Sequence, residues 1–173
     1  MTPFEIADAL RACLVTAFEG DDGIPAEICH RPGREAPLSL GMAQDECCSG
    51  LGWVRVAGIA PVVDPDESQA PDFDQCHANG RRITLELGVA RCNPFGDASR
   101  GPACEAWTEL ALRMDLDAAT MRAAVCCFTA ADNVGPGLEV YSVRPGAWEP
   151  LESSGMCAGG IMTVVIWTEC GAC

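Results

Sequence analysis

The sequence predicts an α+β fold: a four-stranded, mainly antiparallel sheet of two long β-hairpins with helices packed on one face, in the order α-β-β-α-β-β. Three observations predict it. Two segments carry apolar residues at helical spacing, one near the start and one in the middle of the chain. Four segments alternate or run apolar at strand length, in two sequential pairs divided by turn-rich stretches. Helices and strands do not follow a strict β-α-β alternation, which favours an antiparallel sheet with helices gathered on one side. At 173 residues the chain fits one domain, 1–173, which can bury about two thirds of its unfolded surface without help from cysteines.

The first helix is the clearest element. Thr2 and Glu5 form a T-x-x-E capping box, and Pro3 takes the favoured first helical position. Phe4, Ala7, Leu10, Leu14, Ala17 and Phe18 fall on one face, and Gly20 is the expected stop. "CHRPGREAPLSLGMAQDECCSG" reads as loop. "GWVRVAGIAPVV" reads as a strand over 52–60, with Val54 and Val56 on one face and Pro61 at its end. "RRITLELGVARC" gives the cleanest strand, 82–92, where Ile83, Leu85, Leu87 and Val89 alternate with Arg82, Thr84, Glu86 and Gly88. "NPFGDASRGP" is a turn cluster.

A second helical block starts near Ala103, with Trp107, Leu110, Ala111 and Met114 in its stripe. "DLD" reads as a break with Asp117 as an N-cap, after which Met121, Val125 and Phe128 continue as a kinked or separate helix. "LEVYSVR" predicts a half-buried strand over 138–144, and "PGAWEPLESSGMCAGG" a long loop. "IMTVVIWT" is apolar on both faces, so a central strand is expected over 160–169.

Composition narrows function. The formal net charge is −14, all 11 basic residues are Arg, and Lys is absent. Such a balance argues against a nucleic-acid clamp, which needs clustered Lys and Arg. No apolar run approaches the roughly 20 residues of a membrane span. The N-terminal stretch lacks a basic region and is broken by Glu5, Asp8 and Glu19, so it does not read as a secretion signal.

No catalytic constellation is evident: there is no G-x-S-x-G, no H-E-x-x-H and no phosphate loop. The expectation is therefore a non-enzyme without cofactor or metal. Cys29-His30 and Cys76-His77 offer zinc-type ligands, but adjacent residues seldom reach one ion together. "DPDESQAPDFDQ" places Asp64, Asp66, Glu67, Asp72 and Asp74 in one loop. It lacks the Gly and the closing Glu of a calcium loop, with Gln69 and Gln75 in their places.

The 12 cysteines need a reading of their own. The terminal C-x-x-C, Cys170 and Cys173, follows a strand and opens no helix, so it lacks the setting of a redox pair. No second C-x-x-C completes a four-cysteine zinc site. Cys13 lies near the apolar stripe of the first helix and reads as a buried free thiol. Most others sit at element ends, which favours staples of loops and termini over core filler. Cys92 and Cys104 flank one turn and are expected to pair, with Cys48 near the same corner because antiparallel strands bring one start to the other's end. Cys170 and Cys173 are expected to pin the tail.

Taken together, the opening "MTPFEIADALRACL", a first strand in "CSGLGWVRVAGIAP", then "ITLELGVARC", the helix "CEAWTELALRM", "VRP" and a Cys-terminated last strand resemble the head-to-tail connector proteins of actinobacterial, mycobacteriophage-like long-tailed phages. Among connector components the element order is similar to the tail terminator. The resemblance implies a structural virion protein of the neck, assembled in the host cytoplasm. It would be a homo-oligomeric ring, a hexamer, that caps the tail tube and meets a head-side connector ring. DNA would pass through its lumen without specific binding, and no membrane is involved. The acidic loop Asp64–Asp74, or "GAWEPLESSG", would face the lumen or an adjoining ring. Adaptors are mostly helical and stoppers are small β-barrels, so they fit the order less well. The competing class is a cytosolic cysteine-rich metal-binding or thiol-redox domain, which metal analysis of pure protein would separate.

Overall fold

The computed structural model describes residues 1–19, 23–33, 48–62, 80–94, 101–130, 140–154 and 157–168. Its elements are α1 (Pro3–Phe18), β1 (Glu27–His30), β2 (Leu51–Pro61), β3 (Arg81–Cys92), α2 (Cys104–Ala130), β4 (Val140–Ser154) and β5 (Cys157–Thr168). The strands form one mixed sheet in the order β1-β2-β3-β5-β4. The fold is thus α+β, but the sheet has five strands rather than four.

The fifth strand is β1, inside a stretch expected to be loop. It pairs parallel with the start of β2, Glu27 opposite Leu51 through His30 opposite Val54. A four-residue strand whose partner begins more than twenty residues later leaves little trace in local composition. The two expected hairpins are antiparallel pairs, β2 with β3 and β4 with β5, joined by β3 with β5. The apolar run of β5 is central, as its two-faced hydrophobicity requires.

The expected long loop after Arg144 is instead strand. β4 runs on to Ser154, with register shifts after Val140, Pro145 and Leu151. Pro145 and Pro150 hide this strand from sequence reading, and they are tolerated because β4 is an edge.

One face of the sheet carries the main core. Val54, Ile83, Leu85, Leu87, Val89, Met162, Val164 and Ile166 pack there with buried residues of both helices. From α1 these are Ile6, Ala7, Leu10, Cys13, Leu14 and Phe18, and from α2 Met121, Ala124, Val125 and Phe128. The α1 start follows its sequence: Thr2 Oγ1 accepts from the Glu5 N–H at 3.2 Å, and the Glu5 carboxylate accepts from the Thr2 N–H at 2.6 Å. Phe4 departs from the expected stripe, being 61% exposed with its ring 4.7 Å from that of His30.

The opposite face holds a smaller cluster of Leu51, Trp53, Ala90 and Cys157. Trp53 lies over Gly88 of β3, where a Cβ would collide with the indole, and Trp148 covers Gly160 in the same manner. Glycine is required at these two positions by the close approach of a ring rather than by backbone conformation.

Candidate assembly surface

The expected break at "DLD" is absent: α2 is a single 27-residue helix through Asp117. Local sequence offers Asp117 as an N-cap, but a tertiary contact takes its side chain. Asp117 is buried and accepts from Arg91 Nε at 2.8 Å and Arg91 Nη2 at 2.6 Å, with Arg113 Nε at 3.3 Å one turn back. Arg113 also donates to the Gly23 carbonyl at 2.8 Å, and Arg91 stands over the Phe18 ring at 5.9 Å. One carboxylate thus ties α2 to the end of β3 and to the segment after α1.

This tie divides α2 into unlike halves. From Asp117 onward the inward stripe of Met121, Ala124, Val125 and Phe128 is fully or almost fully buried. Cys127 is bonded to Cys13 of α1, with Cα atoms 5.8 Å apart. Cys13 was expected to be a buried free thiol; it is instead half of an inter-helix staple, because the two helices share a seam that sequence does not display. Before Asp117, Trp107 is 43% exposed, Leu112 61% and Leu116 45%. Helical spacing in this half continues the inward stripe through Trp107, Leu110 and Met114, but Trp107 remains exposed and the other two are only half-buried.

Further exposed apolar surface lies elsewhere. β1 pairs with β2 only over Leu51–Val54, so β1 contributes no partner to the rest of β2, where Ile59 is 55% exposed. Phe4 stands out from α1 beside His30. His30 Nε2 lies 3.1 Å from Asp8 Oδ1, and Arg11 Nε donates to the same oxygen at 3.0 Å. The hydrogen bond with His30, then that with Arg11, holds the Asp8 carboxyl below its usual range.

The chemistry on the opposite face is structural in form. Glu86 receives Arg55 Nε at 2.7 Å, Arg55 Nη2 at 2.6 Å and Trp53 Nε1 at 3.2 Å, while Arg55 Nη1 donates to the Gly33 carbonyl at 2.6 Å. Hydrogen bonding to Glu86 raises the Arg55 pKa further above its usual value. Every group in this cluster has a partner, so it locks a sheet face and leaves no group poised to react. Sequence reading missed it; Arg55 and Glu86 are visible as charges within otherwise apolar strands, and antiparallel register sets them opposite each other.

The cysteine expectations resolve as follows. Cys92 is bonded to Cys48, with Cα atoms 4.2 Å apart, and Cys104 is a free, exposed cysteine. The expected Cys92–Cys104 pairing is therefore corrected. Cys48 just precedes β2 and Cys92 ends β3, so the antiparallel register brings them together, whereas Cys104 leaves on α2. Cys157, opposite Cys92 in the β3–β5 register, is also disulfide-bonded. Cys170, Cys173 and the acidic loop with Asp64, Asp66, Glu67, Asp72 and Asp74 lie outside the described residues.

Cys29 and His30 show why adjacent ligand types make a poor metal pair. Cys29 packs with the Leu51–Trp53 cluster, while His30 turns to Asp8 on α1, so the two point to opposite faces of the sheet. Among the described residues no group of three or more His, Cys, Asp or Glu is arranged to hold a metal ion, and no helix is long and apolar enough to cross a membrane. No protein-family model matches the chain, and no curated protein matches it.

Proposed function

We propose that this chain is a structural protein of a phage neck, forming a ring that terminates the tail tube and joins it to the head connector. The observation that carries the reading is apolar surface left over after folding. Trp107, Leu112, Leu116, Ile59 and Phe4 lie exposed on three separate elements, while the core is closed without them. A ring needs two different faces on each subunit, one for each neighbour. The exposed half of α2 and the distal half of β2 supply two such faces. The sequence resemblance supplies the setting, and the charge of −14 suits a conduit from which DNA must not gain counterion-releasing contacts.

Electron microscopy of purified protein tests this reading. Closed rings of about six copies around an axial channel are expected. Particles the size of a single 18.2 kDa chain would overturn it.

A further inference from the structure

The face of the sheet turned away from the helices carries a cationic patch. Ile83 and Leu85 of β3 and Val164 and Ile166 of β5 enter the helix-side core, so Arg82, Thr84 and Trp167 stand on the other face. Arg82 lies opposite Trp167 in the register, and the Arg144 guanidinium of β4 sits over the Trp167 ring at 5.2 Å. Both arginines are exposed, and among the described residues neither forms an ion pair. Arg11, Arg55, Arg91 and Arg113, by contrast, each have a carboxylate. Two guanidinium groups beside an indole, both without a carboxylate on a chain of charge −14, suit an acidic partner.

We infer that this patch receives the outer face of the first half of α2 from a second copy of the chain, an inference that rests on the ring reading and names its acceptor surface. Glu105, Glu109, Leu112 and Leu116 fall on one helical stripe, and all four are exposed. Neither glutamate forms an ion pair among the described residues. They are the only exposed acids among those residues that stand three or four positions apart on a helix, so they form the one acidic pair to match the arginine pair.

Span and order both fit. From Glu105 to Leu116 the helix rises about 16 Å. From β4 across β5 and β3 to β2 the sheet spans about 14 Å. Laid across the strands from β4 to β2, the stripe brings its glutamates to Arg144 and Arg82. Its leucines then cover Thr84 of β3 with Gly58 and Ala60 of β2, where side chains are small. The reverse direction would set leucines on Arg144 and glutamates over uncharged β2 residues, so charge fixes the direction. One copy cannot make this contact with itself, because α2 packs on the helix side of the sheet and the arginines stand on the other. The contact is therefore head-to-tail, the kind that closes a ring.

The test is sedimentation equilibrium of the full-length protein with each charge pair reversed in turn. Arg82→Glu/Arg144→Glu and Glu105→Arg/Glu109→Arg are each expected to weaken association about a hundredfold and to sediment as single chains. Their equal mixture is expected to regain the wild-type mass, because every contact between unlike variants is again opposite in charge. All four positions are exposed, and circular dichroism is expected to show both variants folded. A wild-type assembly whose mass survives both reversals, or a mixture that stays dissociated, would overturn the docking while leaving the ring reading standing. A wild type that is a single chain at every concentration would overturn both. A labelled single-stranded oligonucleotide bound by the wild type but not by Arg82→Glu/Arg144→Glu would assign the patch to phosphate and overturn the docking.

Discussion

The two halves of α2 share one helix, yet they meet opposite fates. Residues 117–130 bury Met121, Ala124, Val125 and Phe128 and are stapled to α1 through Cys13–Cys127. Residues 104–116 leave Trp107, Leu112 and Leu116 exposed. Among the described residues, the buried core that the sheet shares with α1 takes its α2 members from the second half. The difference teaches that hydrophobic spacing marks where a face is wanted, while the fold decides whether this chain or another one covers it. Under the proposed function the first half is the surface for assembly.

The strongest way to break this contrast is to cut the staple. On the chain-entropy account a bridge spanning 114 residues stabilises by about 5 kcal/mol. Cys13→Ser/Cys127→Ser is expected to lower the denaturation midpoint sharply, whereas Cys126→Ser, one residue away and exposed, is expected to change it little. Chemical denaturation of the two variants side by side checks the difference. Equal effects would mean that the second half does not owe its order to the staple.

Removing the tie comes next. Asp117→Ala leaves the Arg91 guanidinium, only 12% exposed, without its carboxylate and is expected to cost about 3–5 kcal/mol. Hydrogen exchange of the same variant sharpens the point: amides of 104–116 are expected to lose protection before those of 121–128. A matching cost of about 3–5 kcal/mol is expected for Glu86→Ala, which strands Arg55 and the Trp53 N–H on the other face.

Trp107→Ser and Leu112→Ser should separate stability from assembly. These side chains are already exposed, so stability is expected to stay within about 0.5 kcal/mol of wild type while association weakens. Thermal melts of dilute protein and light scattering of concentrated protein measure the two quantities apart. A large loss of stability would place Trp107 or Leu112 in the fold itself.

The legible and illegible parts of the molecule differ for the same physical reason. The α1 cap is a local event within four residues, so Thr2, Pro3 and Glu5 announce it. The alternation of β3 records burial on one face, and Ile83, Leu85, Leu87 and Val89 enter the core. What local pattern cannot carry is the identity of a distant partner. Asp117 has the signature of a cap until Arg91 claims it, and Cys13 that of filler until Cys127 lies beside it. β1 needs β2 to become a strand, and β4 needs β5 to remain one through two prolines. Of the candidate site, the cysteine corner was legible as a place but not as a pairing. The exposure of Trp107 is likewise absent from local pattern, because its spacing matches that of the buried Met121, Val125 and Phe128.

A modest effect belongs to the cap of α1. Thr2→Ala is expected to cost about 1 kcal/mol by removing the acceptor for the Glu5 N–H. Hydrogen bonds from Thr2 hold the Glu5 carboxyl below its usual range, and those of His30 and Arg11 do the same for Asp8. A carboxyl depressed in the folded state stabilises fully above its ordinary pKa and loses that contribution as pH falls through the depressed value. Stability attributable to α1 is therefore expected to be flat near neutrality and to decline only in acid. An acid titration followed by circular dichroism checks the direction, and a decline beginning at neutral pH would count against it.

The claim that the uncovered half of α2 is built for assembly is tested most directly by the native mass of the wild-type chain on dilution. The account predicts a multiple of 18.2 kDa that persists into the micromolar range, and that Trp107→Ser and Leu112→Ser each reduce. A stable particle of one chain at every concentration would contradict it, and would leave Trp107, Leu112 and Leu116 as apolar surface without a purpose.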